Sequence, residues 1–106
     1  MPDVFKLANS EGDCLTRSQG EKVRVRLVEY YDALSENDEL VIDFEGIVAM
    51  TPSFADECFG KLAQRIGAER FRASVTLTGA NETLHVLLNS VLRRRLAGVR
   101  LTEGHG

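Results

Sequence analysis

Apolar residues recur along this chain in two rhythms. Between Ser18 and Leu34 the text SQGEKVRVRLVEYYDAL puts Val23, Leu27, Tyr30, Tyr31 and Leu34 on one face at helical period, and Ser18 with Glu21 has capping-box spacing. Its inner part, KVRVRL, alternates as a half-buried strand would, but the longer period through Leu34 predicts a helix. Past the turn cluster SEND, the run Leu40, Val41, Ile42 predicts a strand covered on both faces. From Ser53 onward Phe54, Ala55, Cys58, Phe59, Leu62, Ala63 and Ile66 gather on one side of a second helix, which Gly67 is placed to end in a left-handed conformation. FRASVTLTG reads as a β-branched strand closed by Gly79. Asn81 then caps a third helix, with Leu84, Leu87, Leu88, Val91, Leu92 and Leu96 on one face and Gly98 as its end. Near the start, Val4 to Leu7 is an apolar patch of strand length before a turn at ANSEGD, and LTEGHG reads as a frayed tail.

This order of elements predicts an α/β domain: a small, mostly parallel sheet of about four strands with helices packed on it and right-handed crossovers. With 106 residues the chain reads as one domain, residues 1–106, of which 98–106 are the tail. Thirteen Lys and Arg against sixteen Asp and Glu leave a formal charge of −3, which lacks the electrostatic footprint of a nucleic-acid binder. Cys14 and Cys58 form neither a CxxC pair nor a metal spacing, so a reducing compartment is expected. Cys58 falls on an apolar face and reads as core; Cys14, in a polar stretch, reads as the more reactive thiol. No stretch approaches the roughly 20 apolar residues of a membrane span, and an early acid argues against a secretory signal. The expectation is a cytoplasmic protein with no membrane contact, no metal and no cofactor.

Candidate chemistry collects at the predicted carboxyl ends of the strands, where open parallel sheets carry their functional groups: Asp43, Glu45, Thr51, Ser53, Thr78 and Asn81. In GIVAMTPSFADECFG, Thr51 as N-cap with Pro52 at the first helical position is a favoured arrangement, and Ser53 with Asp56 is the rival cap. An acyl-transfer serine would need the glycines of a nucleophile elbow, where this chain has Phe54. No glycine-rich loop precedes the helix, and Asp56 and Glu57 put negative charge on its first turn, which disfavours a phosphate cradle. The same acids predict that phosphorylation of Ser53, adding about −1.5 to −2 charges, acts as a disruptive switch. His85 and His105 have no evident partner, and Asp43, Glu45 and Asp56 lack metal-ligand spacing. Arg93, Arg94, Arg95 and Arg100 read as solvated cations suited to a helix C-terminus.

LVIDFEGIVAMTPSFADECFGKL, Leu40 to Leu62, resembles the central strand, loop and helix of the STAS-like domain family of unknown function, related to sulfate transporter and anti-sigma factor antagonist (STAS) domains. In the antagonists a strand ends in an Asp-Ser-Ser-Gly-like motif that opens a helix, and a partner kinase of the histidine-kinase-like ATPase fold phosphorylates a serine there. Met50 and Gly60 match that pattern and Ser53 takes the phosphorylated position. Thr51 stands for the usual acid, Pro52 for the first serine and Phe54 for the glycine, a bulk that restricts a kinase unless its ring turns into the core. The resemblance implies a STAS-like fold and a non-enzymatic regulatory module that docks a protein partner through Thr51, Pro52, Ser53, Phe54, Asp56 and Glu57. The alternative is a small ligand-binding domain or enzyme using Asp43, Ser53 and Asn81; a dimerising assembly module is a third reading.

Overall fold

Three short strands pair in parallel in the computed structural model, which describes residues 3–10 and 13–100, with side chains through residue 96. They are β1 (Asp3–Lys6), β2 (Leu40–Asp43) and β3 (Val75–Thr78), with β2 in the middle. In register, Phe5 lies beside Ile42 and Ile42 beside Leu77, while Val4, Val41 and Thr76 share the opposite face. Parallel neighbours require long crossovers. The first carries α1 (Arg17–Asp32); the second carries α2 (Pro52–Ala55), a π turn (Asp56–Gly60), α3 (Lys61–Ile66) and α4 (Ala68–Ser74). α2, the π turn and α3 run on without a break as one rod, and α5 (Glu82–Arg100) follows β3.

Val4 to Lys6 therefore pairs into the sheet, but the described residues hold three strands where about four were expected. The one other stretch with strand alternation, KVRVRL, lies inside α1, where Val23 and Leu27 are buried. FRASVTLTG is strand only from Val75. Its first half continues α4, because Gly67, with φ 97° and ψ 148°, stops the rod and its carbonyl oxygen accepts the Phe71 N–H at 2.8 Å, restarting helix at once. Ala68 and Phe71, three residues apart, then bury one face. Burial along β2 also departs from expectation: Leu40 and Ile42 are fully buried, whereas Val41 and Asp43 are only half-buried. One face of the sheet carries the core, and on the other Val4 is 48% exposed.

Capping explains the helix boundaries. α1 is capped by Thr16, whose Oγ1 accepts the Gln19 N–H at 3.1 Å, two residues before the expected Ser18. Asn81 caps α5 as predicted, with Oδ1 accepting the Leu84 N–H at 2.8 Å. α5 runs through Gly98 to Arg100, so Gly98 does not end it; His105 and the rest of the predicted tail lie outside the described residues. The predicted faces of the rod and of α5 are the buried ones: Phe54, Ala55, Cys58, Phe59, Leu62 and Ala63 from the rod share one core with Leu88, Val91 and Leu96 from α5, and Leu84 is buried too. Phe59 is central, with ring centroids 5.2 Å from Phe44 and 6.1 Å from Phe54.

Candidate functional site

At the carboxyl end of β2 the chain turns at Gly46, with φ 91°, and runs through Ile47 to Met50 into the start of α2. Thr51 has extended backbone and caps α2: its Oγ1 accepts the Phe54 N–H at 3.1 Å and donates to the Leu15 carbonyl oxygen at 2.9 Å. The Thr51 N–H donates to the Cys14 carbonyl oxygen at 3.0 Å. One residue thus closes the helix start and ties it to the segment before α1. Pro52 occupies the first helical turn, where its missing N–H leaves nothing unsatisfied.

With Thr51 as cap, Ser53 is released from that task. It is exposed, and its hydroxyl has no hydrogen-bond partner among the described residues. Phe54 is fully buried with its ring on Phe59, so the side chain that follows Ser53 leaves the surface clear. Apolar residues flank the turn: Val48 is 81% exposed in the entering loop, and Leu15, bonded through its carbonyl to Thr51, is 48% exposed.

Behind the turn stands a charged layer. Asp56 and Glu57 belong to the π turn and not to the first turn of α2, whose residues include no acid. Arg95 grips Asp56 with two parallel bonds, Nε to Oδ1 and Nη2 to Oδ2, both 2.7 Å, and Arg17 Nη1 reaches Oδ2 at 3.4 Å. This fork geometry is the strong form of an arginine–carboxylate pair. Glu57 is 7% exposed and meets three cations: Arg24 Nη1 at 2.9 Å, Lys61 Nζ at 3.1 Å and Arg17 Nη1 at 3.1 Å. Arg24 also donates to the Glu57 carbonyl oxygen at 2.7 Å, a backbone acceptor in the irregular π turn.

These contacts set the ionisation of both acids. The Arg95 hydrogen bonds hold the Asp56 carboxyl below the usual range. Burial pushes Glu57 upward, but hydrogen bonds from Lys61, Arg24 and Arg17 outweigh it and bring the carboxyl down to about 2. The two thiols move the other way. Cys58 is fully buried, and Cys14, expected to be the more reactive thiol, is only 8% exposed; burial raises both, with Asp13 adding to the rise at Cys14. Cys14 belongs to the core cluster, and its carbonyl oxygen accepts the Thr51 N–H.

Two glycines bring the helices close enough to build this layer. A Cβ on Gly20 of α1 would lie 2.8 Å from the Phe54 carbonyl oxygen and 3.2 Å from Glu57 Cβ. A Cβ on Gly60 would lie 2.9 Å from Arg95 Cγ and 3.1 Å from Val91 Cγ1 of α5. The rod is thereby clamped between α1 and α5, which delivers Arg17 and Arg24 from one side and Arg95 from the other.

The alternative trio is not assembled in this way. Asp43 Oδ1 accepts the Glu45 N–H at 2.9 Å and sits against Gly79, while Asn81 is spent on the α5 cap. The groove at Ser53, about 300 Å³, is lined by Arg17, Pro52, Ser53, Asp56, Arg94 and Arg95 and by neither of those residues. Among the described residues no three His, Cys, Asp or Glu side chains converge on a metal position. Sequence reasoning missed Arg17 and Arg24 and left Arg95 as a solvated cation. Lys61 alone carried a local signal, four residues after Glu57.

No described helix is long and apolar enough to cross a membrane. A family model described as a STAS-like domain of unknown function matches residues 19–85, from α1 through the first turn of α5. No curated protein and no solved structure matches.

Proposed function

Because the chain belongs to the family of STAS-like domains of unknown function, we propose that it is a non-catalytic regulatory module that docks a protein partner at the Thr51–Ser53 turn and is switched by phosphorylation of Ser53. The observation that carries this reading is the division of labour at the turn. Thr51 alone makes the capping bonds, which leaves Ser53 exposed and unbonded in a position fixed by its neighbours. A hydroxyl that holds no structure can be modified without first unfolding anything.

Phe54 supports the reading, since its ring lies in the core and leaves a modifying enzyme room beside Ser53. Val48 and Leu15 supply exposed apolar surface of the kind a partner covers. By resemblance to the antagonists, the modifying partner is a kinase of the histidine-kinase-like ATPase fold. The test is intact mass and peptide mapping after incubation with ATP and a lysate of the source cells. One phosphate on the wild type, absent from Ser53→Ala, is expected. A wild-type mass that stays unchanged refutes the switch, and partner capture that is equal for wild type, Ser53→Ala and Val48→Asp refutes docking at this turn.

A further inference from the structure

The groove beside Ser53 carries a charge opposite to that of the whole protein. Its lining brings three guanidinium groups against one carboxylate, a formal +2, in a chain of −3. The carboxylate, Asp56, is already covered on both oxygens by Arg95, and on one of them also by Arg17. Arg94 is exposed and makes no ion pair or side-chain hydrogen bond among the described residues. Arg17 uses a single nitrogen, Nη1, for both of its acids and keeps its side chain 54% exposed, so its other N–H groups remain open to an acceptor.

We propose that a phosphate carried on Ser53 is received in this groove by Arg94 and by the unused nitrogens of Arg17, so that modification fastens the start of α2 to α5. This inference rests on the reading of Ser53 as the modified residue and reverses the repulsion expected from the sequence. A phosphoserine carries about −1.5 to −2 charges at neutral pH and three acceptor oxygens, which matches two guanidinium donors and nearly cancels the local +2. Asp56 and Glu57 oppose the phosphate through their charge, but four cations already stand around them, Arg17, Arg24, Lys61 and Arg95. The net field on an anion at this spot is attractive. Phosphorylation then stiffens the surface and removes its positive charge together, which favours release of an acidic partner over one that is neutral.

The experiment installs phosphoserine at position 53 during synthesis of the full chain, alone and together with Arg94→Ala. It follows the phosphate by phosphorus NMR titration and the fold by thermal melting. The Arg94 side chain makes no hydrogen bond or ion pair among the described residues, so its replacement leaves the fold intact. Received as proposed, the phosphate has a second ionisation below its usual value of about 6. Arg94→Ala moves that ionisation back up, and the melting temperature of the modified chain is no lower than that of the unmodified one. Two carboxylates acting unopposed would instead raise the ionisation above 6, and that result, or one indifferent to Arg94, overturns the inference. Because the phosphate is built in, this outcome is independent of whether any kinase acts on Ser53.

Discussion

Replacing Glu57 by Gln keeps its shape and removes the one charge on which Arg24, Lys61 and Arg17 converge. The magnitude follows from linkage. A carboxyl that ionises near 4.5 when unfolded and near 2 when folded stabilises the fold at neutral pH by about 3 kcal/mol, since each tenfold change in proton affinity amounts to about 1.4 kcal/mol. The sign is fixed by the direction of the change. A depressed folded-state value means that the contribution is complete above pH 4.5 and disappears as pH falls toward 2. Evaluated at pH 3, the same expression leaves roughly half of that contribution. Glu57→Gln should therefore unfold in urea about 3 kcal/mol more easily than wild type at pH 7, and at pH 3 the gap should shrink to about half. In thermal melting the neutral-pH difference corresponds to roughly 15 °C for a domain of this size. Taking the difference between two chains at each pH cancels the titration of every other group that both share. A gap below about 1 kcal/mol at pH 7, or one that does not change between pH 7 and pH 3, would refute the account of Glu57 as a charge held by three cations.

Thr51→Val should lower stability by about 1–2 kcal/mol, because it removes the cap of α2 and the bond to Leu15 together, and Thr51→Ser should recover most of that in the same melting assay. Ser53→Ala, in the same turn, should change stability by less than about 0.5 kcal/mol, which checks that its hydroxyl holds nothing. Gly20→Ala should destabilise by about 1–3 kcal/mol despite the better helix propensity of alanine, since the added methyl meets backbone where α2 leads into the π turn; an increase in melting temperature would contradict the close approach. Cys14 and Cys58 should both resist an aromatic disulfide reagent in the native state and react once urea unfolds the chain, and rapid native labelling of Cys14 would contradict its burial.

The elements that are legible in the sequence are those whose signal is local. The faces of the rod and of α5, the Asn81 cap and the β2 run each stand within a few residues of chain, and each is where the pattern puts it. FRAS misleads because β-branched residues follow it directly, and because Gly67 both ends one helix and begins the next. The open face of the sheet is invisible in the sequence, since three apolar residues in a row look alike whether one face is covered or two. At the site, Thr51 and Pro52 are readable as a capping pair, while the partners of Asp56 lie 39 residues away on either side. No window of sequence contains a pairing that the clamp of Gly20 and Gly60 creates.

That separation also explains why the cations beside Ser53 are not visible in the sequence around it. The family segment, residues 19–85, contains the turn, both acids, and the Arg24 and Lys61 that serve Glu57. Both partners of Asp56, Arg17 and Arg95, fall outside it, and so does Arg94. Taken alone, the segment leaves Asp56 uncompensated next to Ser53, and a phosphate there meets repulsion. With the flanks in place the same carboxylate is paired with Arg17 and Arg95, and a third guanidinium, Arg94, lines the groove that Ser53 shares. The turn thus lies in the part of the chain that matches the family, and the cations that line its groove, Arg17, Arg94 and Arg95, lie in the parts that do not. Within the family, a chain that keeps the turn and the Asp56 acid but lacks cations at the positions of Arg17, Arg94 and Arg95 should respond to phosphate at this serine by loosening the helix start, opposite to the fastening proposed for this chain.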